Sequence, residues 1–335
     1  MAVTLKTISE RVGISQAAVS MILNRRENDL SSPETREKVF AIARELNYKQ
    51  KFGHKILRGD KTHSVAIVYA MHRLLLEEQI QNLVLLVSRK LEKHHYFSSL
   101  QPIAGSAEEN EKLIEELLQR GIDHFIFIGC PCGFDRIEEL ITRHKRNLVG
   151  FNSLFTNNIS NDTGYAITTT LRQFIAEGRT NFRLFVGKYP QKVRVQAVCN
   201  VFPDSPPEEV IRKHIFFDEF SGEVNNIDEI SRIGYNATRN VLEADPDISA
   251  LMYVSDYHML GGIRYLYEKN YKIGSDIKLC GFNNIHAVRN NIFPLLTWEI
   301  DMEKISSLLV EECINNSGIN QLIKPKPIKT EEQQQ

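Results

Sequence analysis

The feature that most constrains the fold of this chain is an alternation of short apolar runs with helix-length amphipathic segments, which covers most of the sequence after residue 63. Short continuous apolar runs are typical of parallel strands that are buried on both faces. The alternation therefore predicts an α/β body of doubly wound parallel sheets, with ligand sites at the carboxyl ends of the strands. The apolar runs lie at 65–69, 125–128, 148–151, 182–186, 250–254 and 277–280, and the amphipathic segments include 107–120, 134–144, 162–178, 223–244 and 257–270.

The length and composition predict more than one folded unit. The 335 residues are 42% hydrophobic and 25% charged, and they exceed the usual size of one domain. The first residues lead into a polar periodic segment rather than a basic cap and an apolar run, and no stretch approaches the roughly 18 apolar residues of a membrane span. We therefore predict a cytoplasmic protein with no membrane partner.

Charge is divided unevenly along the chain. Residues 1–62 hold 12 Lys or Arg against 7 Asp or Glu, a net +5, whereas residues 63–335 hold 29 against 35, a net −6. A basic head on an acidic body is typical of a polyanion-binding unit joined to a second domain, although +5 alone also fits domains that bind no polyanion.

The five cysteines are odd in number and scattered, which argues against a disulfide framework and fits a reducing compartment. The close pair is Cys130 and Cys132, separated by Pro131. A metal site would need further ligands, and no second pair or nearby His cluster supplies them. We interpret the pair as two small residues at a strand end, and predict no metal and no cofactor.

Helical periodicity in the head predicts three short helices. Thr4 is a potential N-cap for a first helix over 5–12, which Gly13 ends. Ser15 caps a second helix over 16–24, and Ser32 followed by Pro33 begins a third. In the second helix, an inward stripe of Val19, Ile22 and Leu23 opposes a face of small or uncharged side chains, namely Gln16, Ala17, Ser20, Met21 and Asn24.

The first two helices and the turn at Gly13 form a potential helix-turn-helix, whose second helix can enter the major groove of DNA. Periodicity alone fits a generic three-helix bundle equally well. The run 3–24, together with 33–39 and 46–48, resembles the opening signature of the LacI family. The residues that carry the resemblance, in order, are Gly13, Ile14, Ser15, Val19, Ser20, Leu23 and Asn24.

This resemblance implies a DNA-binding head over 1–48 that reads double-stranded operator DNA. The family often has an arginine directed at guanine where this chain has Met21, which cannot donate a hydrogen bond. We therefore expect an operator without that guanine contact, in which Gln16 pairs bidentately with adenine while Ala17 and Met21 touch thymine methyls. By the resemblance, the DNA contacts of the head are Thr4, Leu5, Ser15, Gln16, Ala17, Ser20, Met21 and Asn24.

Residues 49–62 are rich in basic side chains and poor in core formers, so we predict a hinge. In LacI-like proteins this stretch folds into a short helix on DNA, and a leucine wedges into the minor groove. Leu57 lies at that position. Because Gln50, Lys51 and His54 depart from the family pattern and Gly53 weakens a helix by about 1 kcal/mol, a flexible tether whose basic residues contact phosphates is the alternative.

The segment 63–335 resembles the two-lobed, periplasmic-binding-protein-like body of LacI regulators, most clearly at 253–256, 260–262, 281–284 and 294–297. Arg194 matches an arginine that such proteins direct at an effector. The effector residues that the resemblance implies are Asn152, Arg194, Ser255, Asp256 and Asn283. Asp256 precedes a helix, and we predict that it is the N-cap of this helix rather than an effector contact.

Two of these positions depart from the family pattern. Asn152 and Asn283 lie where the family commonly has aspartates that accept hydrogen bonds from sugar hydroxyls. Because a bond to a carboxylate is charge-assisted, amides weaken neutral-sugar binding and leave Arg194 less compensated. We predict an anionic effector, such as a sugar phosphate or sugar acid. The alternatives are a different neutral ligand and a pocket that no longer responds to any ligand.

Nothing in the sequence points to catalysis: a G-x-S-x-G elbow, a P-loop, a G-x-G-x-x-G turn after the first strand and zinc-ligand spacing are all missing. A stand-alone solute-binding protein would need a signal peptide and would lack a basic head.

One small head reads a half-site, so we predict a homodimer on a palindromic operator. The tail 324–335 lacks leucine heptads, which argues against a tetramer. The sequence does not indicate whether the effector releases or promotes DNA binding.

Overall fold

The computed structural model describes residues 3–23, 29–48, 61–70, 75–186, 192–217 and 226–330. The chain divides into two compact units between Thr62 and His63. The first unit is a small helical head, and the second is a larger α/β body.

The head contains the three predicted helices, α1 (Leu5–Val12), α2 (Gln16–Leu23) and α3 (Pro33–Glu45). Thr4 begins α1 through a capping box, in which the Thr7 amide donates to the Thr4 hydroxyl and the Thr4 amide donates to the Thr7 hydroxyl, both at 3.3 Å. Gly13 ends α1 in the left-handed region, at a φ of 83°.

The predicted starts of the next two helices are also confirmed. The Ala18 amide donates to the Ser15 hydroxyl at 3.1 Å, and the Thr35 amide donates to the Ser32 hydroxyl at 3.2 Å. The core of the head combines one apolar stripe from each helix, with Leu5, Leu23, Ile42 and Leu46 partly buried against it. The buried core residues are Ile8, Val12, Val19, Ile22, Val39 and Ala43.

The body contains two lobes, each built on one sheet. The sheet of the amino-terminal lobe has the order β11-β5-β4-β3-β1-β2, and its pairs are parallel. Buried clusters lie on both of its faces, as in a doubly wound fold. Its strands are β1 (Ser64–Ala70), β2 (Phe97–Ile103), β3 (His124–Ile128), β4 (Asn147–Phe151), β5 (Asn158–Asn161) and β11 (Asn320–Ile323), and its helices are α4 (Glu78–Lys93), α5 (Ala107–Gln119), α6 (Phe134–Arg143) and α13 (Met302–Asn315).

The carboxy-terminal lobe repeats this plan with the order β12-β10-β9-β8-β6-β7. Its pairs are parallel except for β12, which is antiparallel to β10. Its strands are β6 (Phe182–Val186), β7 (Ile215–Phe217), β8 (Ala250–Met252), β9 (Lys278–Cys280), β10 (Leu296–Glu299) and β12 (Lys326–Lys329), and its helices are α7 (Thr163–Ala176), α8 (Lys192–Cys199), α9 (Pro207–His214), α10 (Ile227–Ala244), α11 (Asp256–Glu268) and α12 (His286–Arg289).

Within the described ranges the chain crosses between the lobes three times, at 161–163, 299–302 and 323–326. Both lobes are therefore discontinuous in sequence. The arrangement confirms the predicted two-lobed body of parallel sheets.

Helices α10 and α11 of the carboxy-terminal lobe approach each other closely. A Cβ atom on Gly261 would lie 1.8 Å from the Ser231 carbonyl oxygen, and one on Gly234 would lie 1.9 Å from the His258 carbonyl oxygen. Because both obstacles are backbone atoms, neither position accepts a side chain unless the helices separate.

Candidate nucleic-acid interface and effector cleft

The amino-terminal part of α2 is the exposed polar surface of the helix-turn-helix. Gln16 and Ala17 are exposed, and Met21 is partly buried. Ser20 is only 9% exposed, so the prediction that it shares the exposed face is wrong. The helix is short and packs against both α1 and α3. Asn24 lies outside the described residues, as do Leu57 and the rest of the hinge up to residue 60.

The other predicted DNA contacts of the head also have structural roles. The hydroxyls of Thr4 and Ser15 are exposed and accept capping hydrogen bonds. Leu5 is partly buried against the core of the head. These positions can present backbone and hydroxyl groups to a phosphate at a helix amino terminus, whereas the exposed carboxamide of Gln16, which makes no hydrogen bond with the described residues, can meet a base edge.

The connection into α3 is held by a local ion pair that the sequence analysis missed. The Asp29 carboxylate accepts from Arg36 Nε at 2.7 Å and from the Ser31 amide at 3.0 Å, while Arg36 also donates to the Asp29 carbonyl at 2.7 Å. The hydrogen bonds from Ser31 lower the pKa of Asp29. This pairing fixes the chain that enters α3.

In the body, the predicted effector residues follow the carboxyl ends of strands. Asn152 follows β4 in one lobe, and Ser255 and Asn283 follow β8 and β9 in the other. Arg194 lies on α8, the helix after β6. In open α/β sheets this edge is where ligands bind.

Arg194 is a cation beside Phe282, which follows β9 in the carboxy-terminal lobe. Its guanidinium carbon lies 5.9 Å from the centre of the Phe282 ring, and its Nε atom is buried with no hydrogen-bond partner among the described residues. Burial lowers the pKa of Arg194 to about 10, partly opposed by the charge of Glu77. The side chain therefore stays protonated at neutral pH. A buried donor without a partner is costly, so this geometry favours an acceptor supplied by a ligand.

Asn152 and Asn283 both adopt left-handed backbone conformations, with φ values of 51° and 97°. The Asn152 side-chain oxygen accepts from the Asn161 amide at 2.9 Å, and the Asn283 amide donates to the Trp298 carbonyl at 2.8 Å. Asn tolerates this backbone region better than most residues. The left-handed backbone is thus part of the reason for an asparagine at each position. At Asn152 the side-chain oxygen already accepts one hydrogen bond.

Asp256 is not the N-cap of its helix, so that prediction is wrong. Ser255 occupies the cap position, and Asp256 is the first residue of α11 and fully buried. Its carboxylate accepts from the Thr297 hydroxyl at 2.8 and 3.0 Å and from the Ile285 amide at 3.0 Å. Burial raises the pKa of Asp256 to about 7. The residue ties α11 to β10 and to the segment after β9.

Ser255 is also mostly buried. Its hydroxyl lies 2.7 Å from His258 Nδ1, one turn further along α11. This local bond orients the start of α11.

Glu78 joins the two lobes, and the sequence analysis missed it. It begins α4, and its carboxylate accepts from the His286 amide and from Arg289 Nη2, both at 3.0 Å. Its own amide donates to the Tyr257 hydroxyl at 3.4 Å. The sequence feature that could have indicated this contact is the acidic pair Glu77 and Glu78 at a helix start. The partners of Glu78 are more than 175 positions away along the chain, so the sequence does not identify them.

A groove of about 1140 Å³ lies where α4 meets the crossovers, and of the predicted effector residues only Asn283 lines it. Among the described residues, no group of three or more His, Cys, Asp or Glu side chains could hold a metal ion. A search of the same part of the chain finds no helix of the length and apolarity that a bilayer requires.

Comparisons with known proteins agree with this architecture. A family profile described as bacterial regulatory proteins, lacI family, matches residues 4–51. The catabolite control protein A of Staphylococcus xylosus is 21% identical over 332 residues, which cover 96% of this chain and 95% of that protein. The HTH-type transcriptional repressor PurR of Glaesserella parasuis serovar 5 (strain SH0165) is 23% identical over 321 residues, covering 93% and 89%.

Among solved structures, the lac repressor dimer bound to operator and the anti-inducer ONPF superposes with a TM-score of 0.77 at 17% identity, over 98% of this chain and 99% of that one. A complex of the transcriptional regulator CelR with cellobiose gives a TM-score of 0.65 at 18% identity, with the same coverage. These similarities extend over both the head and the two-lobed body.

Proposed function

We infer that this chain is a DNA-binding transcriptional regulator of the LacI family, which acts as a repressor under the control of a small carbohydrate-related effector. The observation that carries this conclusion is the exposed, uncharged start of α2 in a capped helix-turn-helix, within the segment 4–51 that matches the lacI profile. The attached two-lobed body supplies the sensing domain.

The head reads DNA through Gln16, Ala17 and Met21. With α2 in the major groove, the Gln16 carboxamide can accept and donate at once, as the edge of adenine requires. Ala17 and Met21 provide apolar contact for thymine methyls. Thr4, Ser15 and the amino ends of α1 and α2 face phosphates. Because one head covers one half-site, a homodimer on a palindromic operator provides the specificity.

Selection of bound DNA from a random pool tests this function. We expect the full chain to enrich a near-palindromic sequence whose half-sites contain A·T pairs where Gln16, Ala17 and Met21 read. Binding should weaken steeply as salt rises, because phosphate contacts release counterions. A pool that shows no enrichment after repeated rounds, although the protein is folded by circular dichroism, would contradict the function.

We propose an anionic effector of the sugar phosphate or sugar acid class. Support comes from the protonated Arg194, whose buried Nε lacks a partner among the described residues, and from the neutral amides at Asn152 and Asn283 in place of carboxylates. An anionic oxygen at Arg194 would form a charge-assisted hydrogen bond with a group that is already desolvated.

A thermal-shift panel tests the class of effector. Sugar phosphates and sugar acids should raise the melting temperature of the wild-type chain, and the parent free sugars should not. Arg194→Gln should abolish that rise, while Arg172→Gln, which replaces an exposed arginine on helix α7, serves as the control. Stabilisation by free sugars but not by their phosphates or acids would overturn the proposal.

One observation favours a second candidate, a regulator whose pocket does not respond to a ligand. The Asn152 oxygen is already used by the Asn161 amide, so this residue has less capacity for an effector than a free carboxylate would have. Measuring operator release across a metabolite library separates the two candidates, because the second predicts that DNA affinity is the same with every compound.

A further inference from the structure

Two thiols lie at the carboxyl edge of the amino-terminal lobe, beside a candidate effector residue. Cys130 and Cys132 follow β3 with Pro131 between them. Strand β3 pairs with β4, and the Gly129 amide donates to the Phe151 carbonyl at 2.9 Å, which joins the ends of these two strands. Asn152 is the next residue after Phe151. The cysteine pair and Asn152 are therefore neighbours on one sheet edge.

Cys130 is half-buried and contacts the segment that follows Asn152. Its Sγ atom lies 3.8 Å from the Pro131 carbonyl oxygen, and the backbone amide of Leu154 partly opposes the rise in thiol pKa that burial causes. Burial raises the pKa of the Cys130 thiol. This thiol is therefore protonated at neutral pH and sheltered from large reagents.

Cys132 is exposed, but its backbone is held firmly. The buried Asn110 side chain donates to the Cys132 carbonyl at 3.0 Å and to the Gly105 carbonyl at 3.0 Å. Gly133 follows in the left-handed region at a φ of 74°, where a Cβ atom would lie 2.7 Å from the Ala107 Cβ. The accessible sulfur of Cys132 is thus carried by a backbone that hydrogen bonds hold in place, and one residue separates it from the sheltered Cys130.

We propose that Cys132 and Cys130 form a thiol–disulfide exchange site for oxidised low-molecular-weight thiols. The Cys132 thiolate attacks one sulfur of the small disulfide, which forms a mixed disulfide and releases one thiolate. The Cys130 thiol then loses its proton to water and attacks the Cys132 sulfur, which forms the Cys130–Cys132 bond and expels the second small thiolate. Two protein thiols are oxidised, and one disulfide is reduced to two thiols.

The spacing allows this bond. Two residues separated by one other lie at most about 7 Å apart between Cα atoms, at the upper limit of about 6.8 Å for disulfides. A small, exposed disulfide ring is readily reduced, so the exchange is reversible. Closing the ring draws Cys130 Sγ away from the Leu154 amide and alters the segment that carries Asn152. This consequence rests on the proposed effector cleft, whereas the exchange itself does not.

Intact-mass analysis of the full chain in excess oxidised glutathione tests the proposal. The wild-type protein should lose two hydrogen atoms, and peptide mapping should place the new bond between Cys130 and Cys132. Cys130→Ser should retain one glutathione on Cys132, because the resolving thiol is missing. Cys132→Ser should react at neither position. Cys199→Ser removes another partly buried cysteine and should behave as the wild type does.

The proposal is overturned if the Cys132→Ser variant is oxidised as fast as the wild type, if glutathione is retained on Cys199, or if neither thiol of the pair reacts. The mass readout needs no DNA or effector, so a failure of the regulatory function would leave its result intact.

A thermal-shift titration of the oxidised and reduced wild type with the best anionic ligand tests the link to Asn152. We expect weaker stabilisation after oxidation, and equal stabilisation would contradict that link.

Discussion

We propose that base recognition by the head depends on Gln16. It is the first residue of α2, it is exposed, and it has no capping role. Replacing it by alanine should cost about 1–3 kcal/mol at one base pair of each half-site, the usual size of a bidentate contact. The measurement is binding to the selected operator and to each of its single-base variants. Glu37→Ala, exposed on α3, should keep the wild-type base preferences. Uniform weakening at every base would instead reassign Gln16 to a phosphate contact.

Asp256 makes the stability of the body depend on pH. Burial raises the pKa of its carboxyl from the ordinary 3.8 to about 7. The folded protein therefore holds a proton between these values that the unfolded chain has released, so the free energy of unfolding falls as pH rises from about 4 to 7 and is level above. The change in pKa corresponds to on the order of 4 kcal/mol.

Urea unfolding at pH 5 and at pH 8 measures this effect. Asp256→Asn, which is neutral at both values, should lose less stability on going to pH 8 than the wild type does. Asp135→Asn, exposed on α6, should follow the wild type. Equal pH dependence of the wild type and Asp256→Asn would show that the proton is not held by Asp256.

At the scale of single residues, local chemistry was predictable and long-range packing was not. The caps at Thr4, Ser15 and Ser32 were found because a cap and its amide partner lie within three residues. Helical periodicity predicts an exposed Ser20, but in a helix of eight residues that contacts two other helices Ser20 is buried. Local sequence predicts that Asp256 is a cap, because it does not reveal the actual partners, Thr297 and Ile285, which are distant in sequence.

At the scale of elements, the apolar runs identified β1, β3, β4, β6, β8 and β9, although β8 ends at Met252, two residues earlier than predicted. Strand β2 was missed because its sequence, Phe97–Ile103, mixes Ser, Gln and Pro at a sheet edge. Strands β10, β11 and β12 are four residues long, and their pairing with distant strands defines them. Sequence periodicity carries no signal for such pairing.

The packing of α10 on α11 depends on glycine at 261. Gly261→Ala would place a Cβ atom 1.8 Å from the Ser231 carbonyl oxygen, so the helices must separate. We expect a loss of about 1–3 kcal/mol, the usual cost of overpacking, in the free energy of unfolding by urea. Gly164→Ala is the matched control, because its Cβ would make an ordinary contact of 3.6 Å with Val193. If both variants are equally stable, close helix approach does not require the glycine.

At the scale of the whole molecule, the two lobes of the body are joined at several points. Three crossovers connect the lobes within the described ranges, and Glu78 bridges them through His286 and Arg289. We propose that a ligand that contacts both lobes changes the angle between them, with a coupling to DNA affinity of the usual size, about 1–3 kcal/mol. The alternation of strands and helices predicts the two lobes. It does not predict the bridge at Glu78, because this bridge joins residues that only the folded body brings together.

We propose that this chain regulates transcription by reading a two-fold operator with a pair of heads. The most direct test compares the affinity of the full chain for the selected palindrome with its affinity for the same DNA in which one half-site is scrambled. We predict that the scrambled DNA binds ~10³-fold or more weakly, close to the non-specific level. Equal affinity for the two DNAs, or no preference for either over random DNA, would contradict the account.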